Sequence, residues 1–107
     1  LDKSLDLNTY LVKHPAATFF VRVIGDSMIN AGIHDNDILI VDRSLKPSHD
    51  KIVIAVVDGH MTVKRLYKRS GKLILMPENK NFRPIEITGS MTMEIWGVVV
   101  TAIHSLC

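Results

Sequence analysis

The sequence predicts an all-β fold, mainly antiparallel: a small sandwich or partly open barrel behind a short N-terminal arm. Three observations predict it. Short runs rich in β-branched and aromatic residues recur along the chain from Thr18 onward. Gly, Asp and Ser separate several of these runs, and they are the residues that tight turns favour. No run is followed by a long segment of helical period, which argues against a parallel sheet with crossover helices.

Residues 1–17 read as the arm and 18–107 as one β-rich domain. In the arm, Leu7, Tyr10 and Leu11 stand at helical spacing, and Asn8 or Thr9 is the candidate cap. Pro15 ends that turn and pushes His14 to an extended backbone. A helix this short is marginal alone, so it either docks on the domain or stays mobile. Strands are then expected over 18–24, 37–42, 51–57, 60–67 and 72–76. Asp58-Gly59 and Ser70-Gly71 make the turns on either side of the fourth. Pro77 ends the fifth. A short piece over 82–87 is confined to an edge by Pro84. The last and longest strand runs over 93–103. With its Val98-Val-Val100 centre it is a liability if left as a bare edge. Pairing between two copies of the chain would cover it, and so would a central place in the monomer's sheet.

A chain of 107 residues suits one domain. That size buries roughly 65% of the surface its unfolded form exposes, so a core is possible without disulfides or metal. Hydrophobic residues at 47% and charged residues at 22% are globular values. Aromatics at 6% make the core largely aliphatic. A net charge of +2 does not argue for nucleic acid or an acidic membrane surface. There is no helix-turn-helix signature or basic stripe, so direct specific DNA binding is not expected. The longest apolar stretch, 95–103, is far shorter than the ~20 residues of a membrane helix. The polar start Leu1-Asp2-Lys3-Ser4 is no signal peptide, so no membrane partner is expected. One cysteine, Cys107, cannot form an internal disulfide; a reducing interior such as cytosol fits.

Five histidines, His14, His34, His49, His60 and His104, show no pairing at metal-ligand intervals, and no Cys/His cluster exists. Each reads as a lone surface or turn residue, with no metal expected. Two segments stand out instead. In Val23-Ile-Gly-Asp-Ser-Met-Ile29, Ser27 follows Gly-Asp at the end of a strand. A sharp turn there exposes Oγ and aims backbone N–H groups outward, as a nucleophile and its oxyanion hole require. Gly-Asp-Ser is also ordinary turn chemistry. In Met61-Thr-Val-Lys-Arg-Leu66, period-two alternation puts Thr62, Lys64 and Leu66 on one face of the strand. If that face is buried, desolvation lowers the pKa of Lys64 and a neutral amine becomes available as a base. If the other face is buried, Lys64 is a solvated surface lysine. The residues leave both readings open; together they outline a Ser–Lys dyad.

At this point the chain resembles the UmuD branch of the LexA/UmuD self-cleaving peptidases. The resemblance runs from Asp6 to His104. It rests on Leu5-Asp-Leu-Asn8, His14-Pro-Ala-Ala-Thr-Phe-Phe-Val21, Gly25-Asp-Ser-Met-Ile29, Asp37-Ile-Leu-Ile-Val-Asp42, Ile52-Val-Ile-Ala55, Val57-Asp-Gly59, Thr62-Val-Lys-Arg65, Leu75-Met-Pro-Glu-Asn79 and Trp96-Gly-Val-Val99, all in family order. It implies Ser27 as nucleophile and Lys64 as neutral general base. The backbone N–H groups of Asp26 and Ser27 would form the oxyanion hole, with Met28 shaping the site. No metal or cofactor is implied. The expected substrate is a Cys-Gly or Ala-Gly bond in an N-terminal arm, cut under stimulation by a RecA–single-stranded DNA filament. The shortened product would form a homodimer and join a Y-family, UmuC-like subunit as part of an error-prone translesion polymerase of the polymerase V type. Domain 18–107 would then be the peptidase and dimerisation unit, and the compartment the bacterial cytoplasm.

The sequence departs from the family in two places. Only 26 residues precede Ser27, none forming Cys-Gly or Ala-Gly, and there is no initiator Met. The cleaved form, lacking its own cleavage site, is therefore expected. Ala31-Gly32 matches the target dipeptide but lies too near Ser27 to fold back, and reads as a turn. Asp35-Asn-Asp37 replaces Asp-Gly-Asp; Asn tolerates the left-handed backbone, so that turn survives. Three other readings stay open. The first is the C-terminal self-cleavage and dimerisation domain of a LexA or phage-type repressor. The second is a signal-peptidase relative, and the third a non-catalytic binding barrel.

Overall fold

The computed structural model describes residues 4–107, so the first three residues of the expected arm lie outside the described residues. Helix α1 (Leu7–Leu11) is capped by Asp6, not by Asn8 or Thr9. The Asp6 carboxylate accepts the Asn8 N–H at 3.1 Å and the Thr9 hydroxyl at 3.0 Å. An N-cap residue needs extended backbone, which Asp6 has and residues inside the helix do not. After Pro15–Ala17, a single 3₁₀ turn, the chain enters the sheet.

Seven strands follow: β1 (Thr18–Arg22), β2 (Ile38–Asp42), β3 (Ile52–Val57), β4 (His60–Arg69), β5 (Lys72–Met76), β6 (Ile85–Glu86) and β7 (Met93–Ile103). They form one open sheet in the order β1-β2-β7-β3-β4-β5-β6, with every neighbouring pair antiparallel. The all-β expectation holds, and the sheet does not close into a barrel. Both predicted hairpins are present with two-residue loops. Val57 pairs His60 across Asp58 (φ 48°) and Gly59 (φ 83°). Arg69 pairs Lys72 across Ser70 (φ 51°) and Gly71 (φ 75°). Positive φ at both positions is the hairpin geometry that matches strand twist. The short β6 lies at the edge, as Pro84 requires.

The longest strand, β7, is not an edge. It pairs β2 on one side and β3 on the other, so the monomer already covers it. The bare-edge argument for two copies therefore lapses. β7 carries two bulges. Val100 is the extra residue opposite Ile40 and Val41, and Trp96 the extra residue opposite Ile54 and Ala55. Each sharpens local bend and twist, which lets one sheet serve two cores. Alternate residues of β3 divide between them. Ile54 packs with Val23, Met28, Ile33, Leu39 and Val41. Val53 and Ala55 pack with Leu66, Leu75 and Val98. Gly97 fits where β7 runs against the Val41 side chain of β2: a Cβ there would stand 2.5 Å from Val41 Cγ1.

Two buried aspartates clasp the sheet. The Asp42 carboxylate meets His14 Nδ1 at 2.5 Å and takes the Ser44 N–H and hydroxyl at 2.9 and 2.6 Å, tying the arm to the end of β2. Asp37 precedes β2 and bonds His34 and His104. Burial alone would raise both pKa values. Hydrogen bonds from Ser44 and His14 to Asp42, and from His34 and His104 to Asp37, outweigh it and hold both below the usual 3.8. A carboxylate depressed in the folded state stabilises fully above its unfolded pKa and loses that contribution as pH falls through the lower folded value. Urea unfolding midpoints should therefore hold near neutrality and drop steeply below about pH 4. In Asp42→Asn, weaker at neutral pH, that drop should be shallower.

Candidate active site

Ser27 sits in a loop that leaves the sheet at Val23 and returns at Asn36–Asp37. Val23 N–H donates to Asp37 O and Asn36 N–H to Val23 O, closing the neck at 2.9 and 2.8 Å. Three local features shape the turn. Gly25 has φ 93°, a left-handed value, and its N–H donates to the Asp35 carboxylate at 2.7 Å. Asn36 takes φ 75° without a glycine, as expected for Asp35-Asn-Asp37. Ala31-Gly32 closes the short 3₁₀ turn Ile29–Ala31, with Gly32 at φ 83°, so this dipeptide is turn structure.

The turn is braced from far along the chain. Glu78 N–H donates to Ser27 O and Asn30 N–H to Glu78 O, both at 2.9 Å. Asn79 Nδ2 donates to Asp26 O at 3.0 Å. Arg65 on β4 fixes Glu78 in turn, its Nε 2.6 Å from Oε1. Among the described residues, the N–H groups of Asp26, Ser27 and Met28 have no acceptor. Met28 does not line the cleft beside Ser27. It is 1% exposed and packs in the core beneath the turn, so it supports the loop from below. Ile24, Met61 and Phe82 line that cleft instead, all three exposed.

Lys64 comes to Ser27 from β4. Its Cβ shares the face of Leu66, which is fully buried, and it stands opposite Val53, also fully buried. The buried-face reading of the strand is the one realised: Lys64 is 8% exposed and Met61 on the opposite face 55%. Nζ lies 3.0 Å from Ser27 Oγ, 2.6 Å from Thr62 Oγ1 and 3.0 Å from Val63 O. No carboxylate among the described residues pairs with it. Burial in apolar surroundings holds its pKa below the ordinary 10.5. A neutral amine has two N–H bonds and one lone pair. Three oxygens surround Nζ, so the two N–H bonds satisfy Thr62 and Val63 and the lone pair is left for the Ser27 hydroxyl proton.

Sequence reasoning placed Thr62 beside Lys64 on the strand but gave it no role; its hydroxyl holds the amine. Glu78 and Asn79 belong to the Leu75–Asn79 motif, but sequence spacing does not reveal that they brace the turn, because only the fold brings residue 78 to residue 27. The histidines lie at the surface as expected, but several have partners. His14 bonds Asp42, His49 Nδ1 accepts the Lys68 N–H, and His34 stacks on His104 beside Asp37.

Comparison with known proteins matches residues 1–100 to a family described as peptidase S24-like. Protein MucA of Salmonella typhimurium is 46% identical over 98% of this chain and 73% of that protein. Protein ImpA of Escherichia coli is 44% identical over 96% of this chain and 70% of that protein. The LexA repressor of Clostridium perfringens is 43% identical over 69% of this chain and 36% of the repressor.

Proposed function

Because the chain belongs to the peptidase S24-like family, in its UmuD-like branch, we propose that Ser27 and Lys64 cut a peptide bond in an N-terminal arm. The observation that carries the reading is the 3.0 Å approach of a buried lysine, unpaired with any carboxylate among the described residues, to a hydroxyl on a turn with free N–H groups. The Ser27 O–H proton passes to the neutral Nζ as Oγ adds to the scissile carbonyl carbon. The N–H groups of Asp26 and Ser27 hold the resulting oxyanion. The C–N bond then breaks, Lys64 returns its proton to the leaving amine, and water hydrolyses the acyl group from Ser27. Ile24, Met61 and Phe82 offer the arm an apolar surface beside the nucleophile.

The UmuD-like relationship extends the proposal. Cleavage is stimulated by a RecA–single-stranded DNA filament as part of the response to DNA damage, in the bacterial cytoplasm. The shortened chain forms a homodimer that serves a Y-family, UmuC-like polymerase subunit in error-prone lesion bypass. MucA favours this over a repressor domain, since it matches 98% of this chain at 46% identity and the LexA relative matches 69% at 43%. The test is a chain extended upstream by an arm with a Cys-Gly or Ala-Gly bond, followed by mass spectrometry between pH 7 and 10. Cutting after the Cys or Ala is expected, faster with the filament present. An intact chain at every pH, with and without filament, would overturn the reading.

A further inference from the structure

The stacked histidines lie outside the proposed peptidase chemistry. The sheet register brings them together: β2 and β7 pair Ile38 with Ile103, which sets Asp37, one residue before, beside His104, one residue after. His34 arrives from the loop, anchored by Ile33 in the core. The Asp37 side chain is 1% exposed. Its Oδ1 is 2.7 Å from His104 Nδ1, and its Oδ2 takes the His34 backbone N–H at 2.8 Å. The two rings stack with centroids 4.3 Å apart. His34 Nδ1 is the exception to this satisfied network. It is buried, 3.6 Å from Asp37 Oδ2, and no group among the described residues bonds it. A buried ring nitrogen without a partner is costly and points to something that fills the gap.

One ligand atom from each of His34, Asp37 and His104 lies within 4.8 Å of the others. Around a tetrahedral ion with bonds of about 2.0–2.2 Å, ligand atoms stand roughly 3.3–3.6 Å apart. The 3.6 Å separation of His34 Nδ1 from Asp37 Oδ2 already fits. The His104–Asp37 pair has to open by under about 1 Å, losing the proton they share, as metal binding requires of its ligands. Two imidazoles and one carboxylate suit zinc, cobalt or nickel; magnesium and calcium prefer all-oxygen shells. Each ring is more than two-fifths exposed, so the cluster opens to water on one side. We propose that His34, Asp37 and His104 form a binding site for a divalent transition-metal ion of the zinc type, with its remaining position open to water or an exogenous ligand. The site would fasten the end of β7 to the loop that carries Ser27.

The test is titration of the full chain with Co²⁺ followed by visible absorption, then displacement by Zn²⁺. Both are run in a Cys107→Ser background so that no thiolate contributes. One ion per chain is expected at micromolar metal, with tetrahedral cobalt bands. His34→Gln and His104→Gln should each weaken binding at least about tenfold, while the exposed His60→Gln leaves it unchanged. Zn²⁺ should raise the melting temperature of the parent and of neither weakened variant. Gln keeps a polar group at each position, so these variants separate lost ligation from lost packing, and circular dichroism confirms their fold. Absence of binding at micromolar metal, or binding indifferent to both substitutions, would overturn the assignment.

Discussion

Lys64→Met should reduce cleavage of an arm-bearing chain by at least about 10³-fold, as should Ser27→Ala. Met approximates the length of the lysine stem and has no basic nitrogen, so the Ser27 hydroxyl loses its proton acceptor. In the parent, the rate should rise tenfold per pH unit while Lys64 is mostly protonated. It should level off below pH 10.5, because burial lowers the pKa of this amine. The same burial fixes the sign of the effect on stability. A lysine depressed in the folded state binds fewer protons there than when unfolded, so keeping it costs stability at neutral pH. Lys64→Met should therefore melt no lower than the parent while losing its activity. A variant that cuts at the parental rate would remove Lys64 from the chemistry.

Gly97→Ala should cost about 1–3 kcal/mol and lower the melting temperature by roughly 5 °C or more. The added methyl would meet Val41 Cγ1 at 2.5 Å and Arg43 Cγ at 3.2 Å. Arg43 is exposed, though its Nε bonds Trp96 O at 2.6 Å. Val41 cannot move aside: it is fully buried, and its β-branched side chain has little rotamer freedom. Val41→Ala removes the clashing carbon, so the double variant should lose less than the sum of the two single losses. Calorimetry on the four proteins gives the coupling directly. Strict additivity would place the strain elsewhere.

The parts of this fold that were legible in the sequence are the local ones. Asp58-Gly59 and Ser70-Gly71 declare their hairpins because turn chemistry is decided within four residues. The 93–103 run declares a strand because its β-branched residues are contiguous. Its central place in the sheet was not legible, since strand order is set by pairings across the whole chain. Lys64 was half legible. Alternation tied it to Leu66, but which face is buried depended on Val53 from another strand. The Ser27 turn could be seen and its brace at Glu78 and Asn79 could not. The His34–His104 stack was hidden for the same reason: register, not spacing, brings position 104 to position 34.

The strand order has a consequence for when Ser27 and Lys64 can meet. Ser27 belongs to the β1–β2 half of the sheet and Lys64 to the β3–β6 half, and within the sheet β7 joins the two halves. That strand comes after the other six in the chain. Until β7 is made, Ser27 and Lys64 stand on pieces of sheet that are not yet paired, so the order of synthesis delays their meeting.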